Sequence, residues 1–285
     1  MKSQEIPVAF ECQGQALVGV VHVPERPGHR GVLAIVAGGP QYRAGCCRQL
    51  VLMGRSLAAR AIPVMRFDYR GLGDGSGPYQ GFELVGDDLN AAIETFLRVV
   101  PSIKEVVLWG GCDAASAALI HGPKNPRVTG MVLGNPWVHS EQTEAQVLVR
   151  HYYLQRIREK SFWLKLLKFR VNPVSKIASL IQALRRSRSV QSSQATTTDQ
   201  GPFPVRMLRG LTQFRGRILL LMSGLSLVSK EFDQLVAGSP EWRKAMGGLD
   251  ITRVDFPDAD QAFSTIAARD EMIEVAGKWL TQWPG

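Results

Sequence analysis

Short apolar runs alternate with amphipathic stretches along almost the whole 285-residue chain. Residues 32–37 read V-L-A-I-V-A and stop at Gly38-Gly39-Pro40, the pattern of a strand buried on both faces. Residues 15–23, 62–67, 105–109, 130–133, 218–222 and 251–256 supply further strands. Between them the spacing predicts helices over 43–60, 82–100, 114–120 and 269–283. In the first, Leu50, Met53, Leu57 and Ala58 fall near the helical period. This alternation predicts an α/β fold, a mostly parallel, doubly wound sheet of about eight strands with helices on both faces. Ligands of such sheets lie beyond the carboxyl ends of the strands. The loops that matter therefore begin at Gly38, Asp68, Gly110, Asn135, Ser223 and Pro257.

One stretch breaks the rhythm. Between Asn135 and Arg217 only helical patterns occur, over 141–158, 161–170, 174–186 and 205–213. Residues 187–202 are polar and of low complexity, as in a mobile loop. The expected organisation is a core of 1–138 and 214–285, interrupted by a helical cap, or lid, over 139–213 with the polar loop near 187–202.

Composition narrows the class. With 45% apolar and 21% charged residues the chain can bury a large core, which excludes global disorder. No apolar run reaches eighteen residues, and the polar, acid-containing start does not read as a secretory signal. Four cysteines without paired spacing suit a reducing, cytoplasmic setting, and no metal or cofactor motif occurs. The formal charge is +9, yet 139–200 alone holds eleven Lys and Arg against four acidic residues. The basicity thus belongs to the insertion. Its 161–170 stretch, apolar with interspersed cations, reads as a lid helix with its cations in water, or as a peripheral contact with an anionic membrane at the inner face. No nucleic-acid motif accompanies the charge, so a nucleic-acid partner is discounted.

Trp109-Gly110-Gly111-Cys112-Asp113-Ala114 ends a strand and opens a helix, the setting of a nucleophile elbow. Small residues flank the nucleophile because strand and helix pack closely around a strained turn. Cys112 is the candidate nucleophile, and the helix N-terminus favours its thiolate. The bland alternative is a small buried thiol. The Asp113 backbone N–H points at the same spot, and the Gly39 N–H is the expected second donor of an oxyanion hole.

These segments, with Phe67-Asp68-Tyr69-Arg70-Gly71-Leu72-Gly73-Asp74, resemble the α/β-hydrolase superfamily. More narrowly, Gly38-Gly39-Pro40-Gln41-Tyr42-Arg43, Gly110-Gly111-Cys112-Asp113-Ala114-Ala115, Asn135-Pro136-Trp137-Val138 and His151-Tyr152-Tyr153 resemble the type 1 exosortase A system-associated hydrolases. That resemblance implies a hydrolase of an ester, thioester or other acyl bond, working beside the exosortase/PEP-C-terminal sorting and exopolysaccharide machinery on an acyl or saccharide-linked small molecule. Where that family carries Ser-Gly-x-Asp, this chain reads Ser223-Gly224-Leu225-Ser226, which puts Ser226 at the acid position. Where it carries Asp-Ala-Asp-His, this chain reads Asp258-Ala259-Asp260-Gln261, which puts Gln261 at the base position. A carboxamide has no basic nitrogen. Two of three triad positions are therefore chemically silent, and the rival expectation is a pseudo-hydrolase that binds an acyl or saccharide ligand. The candidate substitute bases are His139 and His151. His22 and His29 read as surface residues, His121 as a charge at a helix end, and Asp68 and Asp74 as anchors of the loop beside the elbow.

Overall fold

The computed structural model describes residues 2–38, 41–138 and 201–283. Eight strands form one sheet in the order β1-β2-β4-β3-β5-β6-β7-β8. β1 (Ser3–Cys12) pairs antiparallel with β2 (Gln15–Pro24), and β2 antiparallel with β4 (Val64–Asp68). The remaining pairs, which bring in β3 (Arg30–Ala34), β5 (Glu105–Gly111), β6 (Val128–Gly134), β7 (Arg217–Ser223) and β8 (Asp250–Phe256), are parallel. The expected α/β-hydrolase architecture, a mostly parallel sheet of about eight strands with flanking helices, is present.

The central strands are buried because they have no polar face to offer. All of β3, Val106 to Trp109 of β5 and Ile218 to Met222 of β7 are inside. α1 (Gln49–Ala58) and α2 (Gly86–Val99) are amphipathic, α2 burying Leu89, Ala92, Ile93 and Phe96 along one stripe. Leu89, Ile93 and Phe96 each contribute roughly 1.5–3 kcal/mol by leaving water. α3 (Asp113–His121) is apolar almost all round and buries every residue from Ala114 to Ile120. Its alanines let it lie close against the sheet. α4 (Phe203–Gln213), α5 (Leu227–Gly238), α6 (Pro240–Gly247) and α7 (Ile266–Thr281) complete the described helices.

Several expectations need revision. β1 was not anticipated: its residues alternate Ile6, Val8 and Phe10 with Glu, Gln, Pro and Ala, so an edge strand reads as a polar terminus. α6 was likewise unmarked, keeping only Trp242 and Ala245 buried. Residues 205–213 were assigned to the insertion. They form most of α4, which buries Met207 and Leu211 and brings Gly210 against the Leu119 carbonyl of α3. The described residues up to Trp137 and from Pro202 onward make up one compact unit. Residues 139–200 lie outside the described residues, and with them the expected cap helices and most of the expected polar loop.

Two histidines also depart from expectation. His22 is fully buried, not on the surface, and its Nε2 accepts a hydrogen bond of 2.9 Å from Arg66 Nε. Burial, with the Arg66 charge beside it, pushes its pKa down to about 4. His121 is not a charged helix end. Burial, reinforced by Lys124 and Arg206, lowers its pKa to about 4 as well, and its Nε2 lies 3.1 Å from the Glu83 carbonyl oxygen. His29 is about half exposed, as expected.

Candidate functional site

Cys112 sits between β5 and α3 with φ 57° and ψ −124°, a backbone conformation that a non-glycine residue adopts only under constraint. The constraint is local. Cys112 N–H donates to Gly134 O at 2.8 Å, while its carbonyl accepts from Ala115 N at 3.1 Å and Trp137 N at 3.1 Å. Gly110 packs so tightly against the Ala114 carbonyl that a Cβ there would collide with it. The sharp strand-to-helix turn expected from the sequence is thus built, and for the expected reason.

The thiol opens into a pocket of about 820 Å³ at the carboxyl ends of the parallel strands. Ile35, Trp109 and Leu221 give it an apolar floor, and Phe82, Trp137 and Phe263 add aromatic surface. Among the described residues its titratable lining groups are Cys46, Tyr79, Cys112 and Asp113. No described cluster of three His, Cys, Asp or Glu could hold a metal ion.

Gln261 reaches the thiol from the loop after β8. Its Nε2 donates to Cys112 Sγ at 3.2 Å. The residue at the base position is therefore in hydrogen-bond contact with the nucleophile position, but as a donor. Ser226 is 2% exposed and caps the N-terminus of α5, its Oγ accepting from Ser229 N at 3.3 Å. No hydrogen bond among the described residues joins it to Gln261. His139 and His151 lie outside the described residues.

Burial raises the Cys112 pKa above the ordinary thiol value, and the Asp113 carboxylate raises it further. The Asp113 backbone N–H and the Gln261 amide oppose that rise by stabilising the thiolate. The net direction is up, so the lowering expected from the helix N-terminus is outweighed. Asp113 is itself unusual. Its side chain folds back so that both carboxylate oxygens lie within reach of Gly38 N, at 3.0 and 2.9 Å. Burial raises its pKa, opposed by the N–H groups of Gly38, Ala114 and Asp113. A Cβ at Gly38 would meet Asp113 Oδ2 and the Tyr79 hydroxyl, so a side chain there would push both groups aside. Gly39, the expected second donor, lies outside the described residues. The carboxylate at Gly38 went unforeseen because the elbow pattern specifies only the backbone of residue 113.

A second unforeseen element is Asn135, 1% exposed at φ 46° just past β6. Its Nδ2 donates to Ser223 Oγ at 2.8 Å and to the Gln261 carbonyl at 2.9 Å. Its Oδ1 accepts from Ser223 N at 2.8 Å and Ser229 Oγ at 2.6 Å. One side chain thus ties the loop of Gln261 to the start of the loop that carries Ser226. Asp68 and Asp74 anchor the loop beside the elbow as expected. Asp68 Oδ1 accepts from Arg43 N at 2.5 Å, its Oδ2 accepts from Asp74 N at 3.1 Å, and the Arg43 guanidinium bridges both carboxylates.

Sheet order, elbow and pocket at the strand ends together define an α/β-hydrolase fold. Solved structures agree. The chain is similar to the Pyrococcus furiosus esterase Pf2001 with a TM-score of 0.65, at 13% identity over 99% of this chain and 92% of that one. The esterase domain of a Rhodothermus marinus protein matches with a TM-score of 0.60, at 16% identity over 99% of this chain and all of the other. ATU1826 of Agrobacterium tumefaciens, a protein of unknown function, matches with a TM-score of 0.59, at 14% identity over 97% and 95% of the two chains. No family model and no curated protein matches the sequence. At such identities the likeness is one of fold. No described helix is long and apolar enough to cross a membrane.

Proposed function

We propose that the protein is a slow α/β-hydrolase-fold enzyme acting on an ester, thioester or other acyl bond through Cys112. The observation that carries this reading is the Cys112 thiol on a strained elbow, opening into a largely apolar pocket beside a donor amide at 3.2 Å. The thiolate attacks the acyl carbon, and the carbonyl oxygen gathers charge against the Asp113 N–H, with Gly39 N–H as the proposed second donor. The leaving group departs and an acyl-thioester remains on Sγ. Attack can proceed without a base, because a thiol supplies a small fraction of thiolate unaided even where burial and the Asp113 carboxylate raise its pKa. Release of the acyl group by water is the slow step, because Gln261 cannot accept a proton. The resemblance to exosortase A system-associated hydrolases makes a component of the PEP-C-terminal sorting and exopolysaccharide system the proposed context.

A second reading, a pocket that binds an acyl or saccharide ligand without turnover, is favoured by the Asp113 carboxylate seated on Gly38 N–H and by Gln261 in the base position. Turnover of p-nitrophenyl acetate by wild type and Cys112→Ala, with intact mass read during the reaction, separates the two. The enzyme reading expects an acetyl adduct on the wild type and a rate at least about tenfold above the variant. Equal rates with no adduct would leave only the binding reading.

A further inference from the structure

On the wall of the Cys112 pocket lies a pair of thiols. Cys46 and Cys47 are adjacent in sequence, and their Sγ atoms are 3.7 Å apart. The turn that carries them is held in an unusual backbone: Gly45, Cys47 and Arg48 have φ of 72°, 50° and 61°. Non-glycine residues in that region are held there by their surroundings. Here Gly45 N–H donates to Tyr42 O at 2.8 Å and Leu50 N–H to Ala44 O at 3.0 Å, while Gln49 Nε2 donates to Ala262 O at 3.1 Å. The last contact joins the turn to the residue after Gln261. Cys46 is half-buried and lines the pocket, and Cys47 is exposed.

We propose that Cys46 and Cys47 form a reversible dithiol–disulfide pair, a redox modification site on the wall of the Cys112 pocket whose oxidant is a low-molecular-weight disulfide. The exposed Cys47 thiolate attacks one sulfur of the oxidant R–S–S–R, forming a mixed disulfide and expelling RS⁻. The Cys46 sulfur then attacks Cys47 Sγ, closing the Cys46–Cys47 bond and expelling a second RS⁻. The two protein protons end on the two released thiolates, so the oxidant leaves as two thiols and the protein has lost two hydrogens. Burial raises the Cys46 pKa, with Cys47 and Asp260 adding to it, which leaves the exposed Cys47 as the thiol that attacks first. Consecutive Cα atoms are held about 3.8 Å apart by a trans peptide, closer than the spacing of ordinary disulfides. The bond is therefore strained and readily reduced, the property of a labile pair. The two remaining cysteines differ: Cys12 is buried, with its pKa pushed up to about 11, and Cys112 has no adjacent thiol.

The test uses the full chain with oxidised glutathione, followed by trypsin, which releases Ala44-Gly45-Cys46-Cys47-Arg48 as one peptide. The expected result is that peptide about 2 Da lighter, restored by dithiothreitol. Cys46→Ser should trap a stable glutathione adduct on Cys47. Separate adducts on both cysteines, a Cys46–Cys112 cross-link, or no change in the peptide would each overturn the pair. The readout does not require Cys112 to be catalytic, so it stands or falls apart from the proposed hydrolysis.

Discussion

The elbow and the two loops that face it have the same kind of backbone order but opposite chemical content. At the elbow, conformation and side chain agree: Cys112 is forced to a positive φ, and its sulfur opens into the pocket. The loops after β7 and β8 are as firmly tied. Gly224 N–H donates to Phe256 O, Leu225 N–H donates to Ala259 O, and Asn135 binds both segments. Yet their key positions carry Ser226, spent on capping α5, and Gln261, which donates where a base would accept. Frame and chemistry are therefore separable. The frame rests on glycines, backbone hydrogen bonds and one buried Asn, none of which depends on the identity of residues 226 or 261.

The largest effect tests that separation directly. Ser226→Asp with Gln261→His should raise kcat/KM for a p-nitrophenyl ester by roughly 10² or more, the contribution of a positioned general base. Asp caps a helix as well as Ser does, so α5 should survive the change. No gain in the folded double variant would mean that the loops do not present these positions to Cys112 as a triad would, and the comparison would fail.

The next prediction attacks the frame and leaves the chemistry alone. Asn135→Ala takes away the buried acceptor of the Ser229 hydroxyl and the buried donor to Ser223 Oγ, leaves Ser223 N–H with only its 3.3 Å bond to Ser229 Oγ, and frees the part-buried Gln261 carbonyl. It also places alanine at φ 46°, which Asn tolerates better. A loss of about 3 kcal/mol in unfolding free energy is expected from urea titration. A loss under about 1 kcal/mol would show that the Asn135 network is not what holds the two loops together.

What the sequence disclosed follows the same division. Strands such as β3 and β7 are legible because burial on both faces leaves an unbroken apolar run, and the elbow because steric crowding admits only small flanking residues. The contact between positions 112 and 261 was foreseeable from the fold, since both lie at strand ends. β1 was hidden because an edge strand buries so little of its side chains. His22 was misjudged because its burial depends on α1, whose Gly54 leaves room for the imidazole. The side chains of Asp113 and Asn135 were hidden for a related reason: each binds partners far along the chain, Gly38 in one case and Ser223, Ser229 and Gln261 in the other. Local pattern carries no record of such partners.

The smallest predicted effect lies within the elbow and concerns its one dissonant group. Asp113→Asn keeps an oxygen that can accept from Gly38 N–H, so the fold should hold. It removes the negative charge that helps raise the Cys112 pKa, while the burial that raises it most remains. The thiol of the variant should therefore ionise at lower pH, and iodoacetamide should alkylate Cys112 several-fold faster at neutral pH. The sign reverses nowhere, but the size of the gap depends on pH. Asp113 has a raised pKa of its own, so on acidification it becomes neutral and wild type behaves more like the variant. The two rate profiles should converge at the acid end and separate as pH rises through the ionisation of Asp113. Superimposable profiles across the range would mean that the carboxylate is not felt at the sulfur. The elbow would then differ from the loops in backbone alone, and the slow chemistry would trace to Gln261 without help from Asp113.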